Sequence, residues 1–187
     1  ICQQYILLED RFVAGRSRKK FSVSTQHYTF AINAFVEMVR KVGMEEYEFS
    51  ILETRTYECV ENVRNYKSEL GILYLDDFNE KYLTKLFEEN NLEFHPLRDC
   101  STCVYLWGEH PLAHRDQLTM ADLEPYPCIA FELGKQNSLF LSEEVMSTYQ
   151  YRQLIRVADR ATVLNLMKGL NGYTLCSGII CRPLNGS

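Results

Sequence analysis

An α/β fold of two lobes around a cleft is what this sequence predicts, on three observations. Strand-like and helix-like patterns alternate from Phe21 onward; the alternation breaks at about Leu92 to Trp107, where two strand-like segments follow one another; and it resumes as far as Cys176. Alternation of this length argues for parallel-type sheets with helices on both faces. The break marks the chain crossing from one lobe to another instead of continuing a single sheet, and two lobes imply a cleft. With 187 residues and 46% hydrophobic content, the chain is long enough for one sizeable unit or two small lobes, domains commonly running about 100 to 150 residues.

In order along the chain, Phe21–Ser24 reads as a strand, and Ala31, Phe35, Met38, Val39 and Val42 then recur at three- and four-residue spacing, as one face of a helix does, with Gly43 as a stop. Tyr47 to Leu52 alternates as a half-buried strand. Tyr57, Val60, Val63 and Tyr66 form the next helical stripe, followed by the apolar strand Leu70 to Leu75. Tyr82, Leu83, Leu86 and Phe87 mark a third helix ending at Asn90-Asn91. Leu92 to Leu97 and Cys103 to Trp107 read as the two adjacent strands. Beyond them, Thr119 with Asp122 three residues on is a capping-box start for a short helix. Pro127 to Phe131 is a strand, Leu141, Val145 and Met146 mark a helix, and Leu154 to Ala158 is a further strand. Asp159 is placed to cap a helix from Ala161 to Leu170, Asn171-Gly172 closes it, and Tyr173 to Cys176 is the last strand.

Composition narrows the function. The formal net charge of −5 is the wrong sign for a surface that must neutralise phosphates by itself. No basic stretch with an apolar run of signal-peptide length precedes the first folded segment, so a cytoplasmic protein with no membrane role is expected. Seven cysteines, an odd number scattered through apolar segments, fit a reducing compartment. Cys100 and Cys103 form a C-x-x-C, but a structural zinc site needs four ligands, so these read as ordinary thiols and no metal is expected. His110 and His114 are four apart, yet Pro111 interrupts any helix through both. His27 follows Ser24 without a nucleophile-elbow motif and without an acidic residue placed by sequence to orient it. Glycine-rich phosphate loops are absent. No catalytic residue and no cofactor emerge, and a non-enzymatic binding protein is expected.

In sheets of this kind, ligands sit at the carboxyl ends of strands, where helix N-termini present unpaired N–H groups. The residues just past the strands are Ser24, Thr25, Gln26 and His27, then Thr54, Arg55 and Thr56, and in the second half Glu132, Asp159, Arg160 and Thr162. Hydroxyls and Arg55 suit a carboxylate, and Glu132 or Asp159 suits an amine, so a small zwitterion or dicarboxylate fits the rim. Against this, Ser24, Thr25 and Asp159 are favoured caps with or without a ligand, and Arg55 and Glu132 taken singly are ordinary surface charges. The helix from Tyr28 to Val42 has more apolar residues than one buried stripe needs. Tyr28, Ile32 and Val36 extend its face, which either a partner subunit covers or its own lobe buries more deeply.

Several stretches together resemble the effector-binding domain of LysR-type bacterial transcriptional regulators. Trp107-Gly-Glu-His-Pro-Leu-Ala113, followed by Leu118-Thr-Met-Ala-Asp-Leu-Glu-Pro-Tyr-Pro-Cys-Ile129, is similar to that family's H-P-L-A segment, its L-[ST]-x-A-D-L helix and its Y-P-L-I strand. Leu70-Gly-Ile-Leu resembles a family strand, and Ala161 to Ser177 resembles the stretch ending in G-L-G and an apolar strand, here with Asn171 inserted. The resemblance implies two Rossmann-like subdomains of the type 2 periplasmic-binding-protein kind, subdomain I over 19–98 and subdomain II over 99–187. Residues 1–18 would be the end of a linker helix, and a return segment to subdomain I would be missing. It implies a small-molecule inducer, amino-acid-like or a carboxylate, touched by Ser24, Thr25 and Gln26 and by Thr54 to Thr56. It also implies a homodimer through Tyr28, Ile32, Phe35 and Val36, or a tetramer at full length. DNA would be contacted only through an N-terminal helix-turn-helix domain. A solute-binding protein of the same fold is the alternative.

Overall fold

A computed structural model describes residues 19–43 and 46–178; the readings of 1–18 as a linker helix and of the C-terminal end fall outside them. The first lobe is built on a parallel sheet. Strands β1 (Lys19–Thr25), β2 (Tyr47–Glu53) and β3 (Leu70–Ile72) lie in the order β2-β1-β3. In register, Val23 faces Ile51 on one side and Leu70 on the other. Helices α1 (Thr29–Val42), α2 (Thr56–Arg64) and α3 (Glu80–Glu89) connect and cover these strands. Val60, Leu83, Phe87 and Leu141 form the buried core here, with Leu73 and Leu75 against them. Leu83 is fully buried, which by itself is worth about 1.5–3 kcal/mol of transfer free energy.

The second lobe holds a mixed sheet. Strand β4 (Cys103–Tyr105) pairs antiparallel with β7 (Thr174–Cys176), and β5 (Cys128–Phe131) pairs parallel with β6 (Leu154–Val157). A bridge between Cys128 and Tyr173 joins the two pairs into one sheet, ordered β4-β7-β5-β6. Side chains alternate across β5 and β6 as a pleat requires: Ile129 and Val157 pack under helix α5 (Arg160–Leu170) with Val163 and Met167, while Cys128 points to the opposite core with Leu123, Val145, Tyr173 and Leu175. Both predicted caps form. Thr119 and Asp122 make a reciprocal capping box on α4 (Met120–Leu123), and Asp159 accepts from the Thr162 N–H at 2.9 Å.

Three elements differ from the sequence expectation. Leu92 to Leu97 is not a strand: Pro96 lacks a donor, Glu93 and His95 pair with each other in solvent, and Phe94 stacks on Phe87 at 5.8 Å, so the crossing segment runs extended without a ladder. The strand at Leu70 stops at Ile72, after which the chain turns so that Leu73 and Leu75 serve the first core and Tyr74 the second. The helix expected through Leu141, Val145 and Met146 is a single 3-10 turn, Leu139–Leu141. Its apolar spacing is genuine burial of another kind, because Leu141 packs into the first lobe and Val145 into the second. Met146, in the left-handed region at φ 60°, is incompatible with a continuing helix.

Candidate functional site between the lobes

The end of β1 and the loop after it enter the interlobe cleft as a hydrogen-bond network. Ser24, Thr25 and Gln26 have no exposed surface. Ser24 Oγ accepts from Asn62 Nδ2 at 2.9 Å and is hydrogen-bonded to Ser68 Oγ at 2.8 Å; the Thr25 hydroxyl donates to the Gln26 carbonyl at 2.9 Å. Gln26 Nε2 donates to Thr56 Oγ1 at 2.5 Å, and that hydroxyl passes its own proton to the Leu141 carbonyl at 2.6 Å. Gln26 Oε1 accepts from the Tyr28 hydroxyl and from the Tyr74 N–H, both at 2.8 Å. Buried polar groups that are fully paired in this way fix geometry. The four predicted contact residues Ser24, Thr25, Gln26 and Thr56 therefore hold the floor of the cleft in this arrangement instead of pointing into it.

The two predicted cations each meet a carboxylate across the cleft, Glu53 being a partner the sequence did not single out. Arg55 Nη2 donates to Glu132 Oε2 at 2.7 Å, and Arg160 Nη2 donates to Glu53 Oε1 at 2.5 Å. A third link was not expected: His27 Nδ1 lies 2.6 Å from Glu143 Oε1, the His27 N–H donates to Glu143 Oε2 at 3.0 Å, and the imidazole stacks on Phe131 at 3.7 Å. His27 and Glu143 side chains are only 8% and 9% exposed, so this pair is shielded where the other two are half-open. Each link joins the first lobe to the second.

Behind His27 and Glu143 lies a cavity of about 90 Å³ whose walls include Tyr28, Tyr74, Tyr105, Glu144 and Arg160. Glu144 accepts from the Ser142 hydroxyl at 2.6 Å and from the Phe131 N–H. Burial, and then the neighbouring Glu143, push its carboxyl above the ordinary carboxylate range. Burial likewise raises the Tyr28 phenol, and pushes that of Tyr74 up to about 12.

Of the ten predicted contact residues, Arg160 alone lines this cavity. Arg55 and Glu132 stand at the cleft rim, paired. Thr54 donates its N–H to the Thr25 carbonyl at 2.8 Å and keeps a buried hydroxyl with no partner among the described residues. Asp159 and Thr162 bind each other as a helix cap, N–H and hydroxyl both donating to the carboxylate. Tyr28, expected on the dimer face, turns into the cleft, whereas Ile32, Phe35 and Val36 remain half-buried on α1. Glu143 and Glu144 were missed, although two adjacent carboxylates inside an apolar run are a signal the sequence does carry. Cys100 and Cys103 are free thiols, and among the described residues no cluster of His, Cys, Asp and Glu is arranged to hold a metal ion. Among the same residues no helix is long and apolar enough to cross a membrane.

Two α/β lobes closing on a small cleft define an architecture of the periplasmic-binding-protein-like kind. The LysR substrate binding domain family matches residues 45–186, and the chain belongs to it. Among solved structures it is similar to the effector-binding domain of QuiR in complex with shikimate, with TM-score 0.54 and 20% identity over 87% of this chain and 75% of that one. It is also similar to oxidized OxyR, with TM-score 0.55 and 17% identity over 92% and 77%. HinK, a LysR family transcriptional regulator from Pseudomonas aeruginosa, gives TM-score 0.53 and 16% identity over 97% and 60%. At these identities the likeness is one of fold. No curated protein sequence matches the chain.

Proposed function

We propose that this domain senses a small carboxylate or amino-acid-like inducer between its lobes and thereby controls DNA binding by an attached helix-turn-helix domain. The observation that carries the reading is the set of three cross-lobe pairs, Arg55–Glu132, Arg160–Glu53 and His27–Glu143, of which His27, Glu143 and Arg160 line one cavity between the lobes. At about 90 Å³ the cavity is small beside ordinary ligand sites of about 300–1,000 Å³, so an inducer enters by parting the lobes. Its carboxylate replaces Glu132 or Glu53 as the partner of Arg55 or Arg160. The exchange shifts the population between lobe arrangements without any covalent step. Thr54, with its unspent buried hydroxyl, supplies a further hydrogen bond once the lobes part. The half-buried apolar residues Ile32, Phe35 and Val36 on α1 support association with a second copy, through which a change in lobe angle would reach the DNA-binding heads.

The test is thermal unfolding of the domain against small carboxylates and amino acids, with shikimate, the ligand of QuiR, in the panel. A ligand at about 100 times its dissociation constant adds about 2.7 kcal/mol of stability. The reading expects at least one such shift, weakened by Arg160→Ala and by Arg55→Ala. A folded domain that responds to no compound, or equally in both variants, would overturn it.

A further inference from the structure

A second and larger cavity, of about 310 Å³, lies in the second lobe on the face of the sheet away from α5. Its floor follows from strand alternation: Cys128 and Ala130 of β5 and Leu154 and Arg156 of β6 share one face, while Ile129, Ile155 and Val157 turn to α5 on the other. Where a helix would cover this face, the chain supplies only the irregular run after the 3-10 turn, bent at left-handed Met146. The roof brings Ser147, Thr148 and Gln150 to the cavity, and none of these side chains has a hydrogen-bond partner among the described residues. Tyr149 and Tyr151 lie at its rim with ring centroids 5.0 Å apart.

We propose that this cavity is a second ligand site, separate from the cleft, for a small hydroxylated aromatic carboxylic acid. The volume lies at the lower end of ordinary small-molecule sites, about 300–1,000 Å³. An apolar floor with two tyrosine rings beside it suits a planar ring. Arg156 is the one cation in the wall and spends a single N–H on the Phe131 carbonyl, at 3.0 Å, which leaves the rest of its fork for a carboxylate. The unpartnered hydroxyls of Ser147 and Thr148 suit a ring hydroxyl. An ammonium group has no counterpart, because the one carboxyl in the wall, Glu144, is committed to the Phe131 N–H and the Ser142 hydroxyl. Glu144 also borders the interlobe cavity, so the two sites share a wall.

The site is tested on the whole chain by following backbone amide resonances while 4-hydroxybenzoate is titrated into the millimolar range. Shifts are expected within Ser147–Arg156 and Cys128–Ala130, with saturable binding. Two variants attack the site differently: Arg156→Ala removes the cation, and Ser147→Trp fills the cavity while leaving the Arg156 contact to Phe131 in place. Each is expected to weaken binding by about tenfold or more, whereas Arg64→Ala, which removes an exposed cation elsewhere, leaves it unchanged. Absence of shifts in these segments, shifts confined to the surroundings of His27 and Tyr74, or binding undiminished in folded Ser147→Trp would each overturn the proposal. Because the cleft variants lie outside this cavity, failure here leaves the sensing cleft untouched, and the reverse holds.

Discussion

His27 and Glu143 stand 116 residues apart in sequence and are joined at 2.6 Å, with the backbone N–H of His27 held by the same carboxylate. They fasten the loop after β1 to the segment after the 3-10 turn, and Phe131 closes the imidazole face at 3.7 Å. Removing one partner leaves the other buried without it. Because both side chains are under a tenth exposed, His27→Ala is expected to lower the unfolding free energy by about 1–3 kcal/mol, the cost of leaving a buried hydrogen-bonding group without its partner. Urea denaturation measures this directly, and a loss below about 0.5 kcal/mol would mean that the pair is not a structural link.

Glu144 gives a pH dependence with a definite sign. Its folded-state carboxyl is raised, mainly by burial, so the native state binds more protons than the unfolded state between the ordinary carboxylate value, 4.5, and the raised one. Stability therefore falls as pH rises through that window. Glu144→Gln keeps an oxygen to accept from the Phe131 N–H and removes the ionisation. Its stability relative to the parent is expected to increase as pH rises from about 4.5, read from denaturation midpoints across pH. Parallel profiles for the two proteins would refute the assignment.

Gly172 is required for space and not for a left-handed turn. The left-handed residue closing α5 is Asn171, at φ 50°; a Cβ on Gly172 would lie 2.6 Å from Ile129 Cδ1 and 3.1 Å from the Pro127 carbonyl. Gly172→Ala is expected to cost about 1–3 kcal/mol by overpacking. In an Ile129→Val background, which deletes the Cδ1 methyl, the same substitution should cost less. A double-mutant cycle by chemical denaturation tests this, and additive losses would refute it.

The reasons for what the sequence shows and conceals are local. The period of Ala31, Phe35, Met38 and Val42 is a property of neighbouring residues and survives into α1; the Thr119–Asp122 and Asp159–Thr162 caps are contained in four residues each. The floor of the cleft is long-range. Gln26 is spent on Thr56, Tyr28 and Tyr74, partners that come from separate elements, so a strand-end rule places it beside a ligand although its amide is already committed. His27 lacked an acidic neighbour in sequence for the same reason, its partner arriving from the other lobe. Leu141 and Val145 kept helical spacing while serving two different cores, which periodicity cannot separate from a helix.

Arg55 and Glu132 make a prediction in which the two partners have opposite signs. The pair is partly exposed, at 33% and 51%, so it contributes at most about 1 kcal/mol, and an inducer carboxylate that takes Arg55 must first displace Glu132. Removing the competitor with Glu132→Gln should tighten a plain carboxylate such as shikimate by up to about fivefold, since about 1 kcal/mol is that factor in affinity. Arg55→Ala should weaken it. For an amino-acid-like inducer the outcome reverses at Glu132: its ammonium group takes the carboxylate that Arg55 has released, so Glu132→Gln weakens binding along with Arg55→Ala. Calorimetric titration of both variants against one carboxylate and one amino acid thus reports the charge pattern of the inducer as well as the use of the rim. If neither variant changes either affinity, Arg55 and Glu132 are surface charges and the inducer lies wholly on the Arg160 side of the cleft.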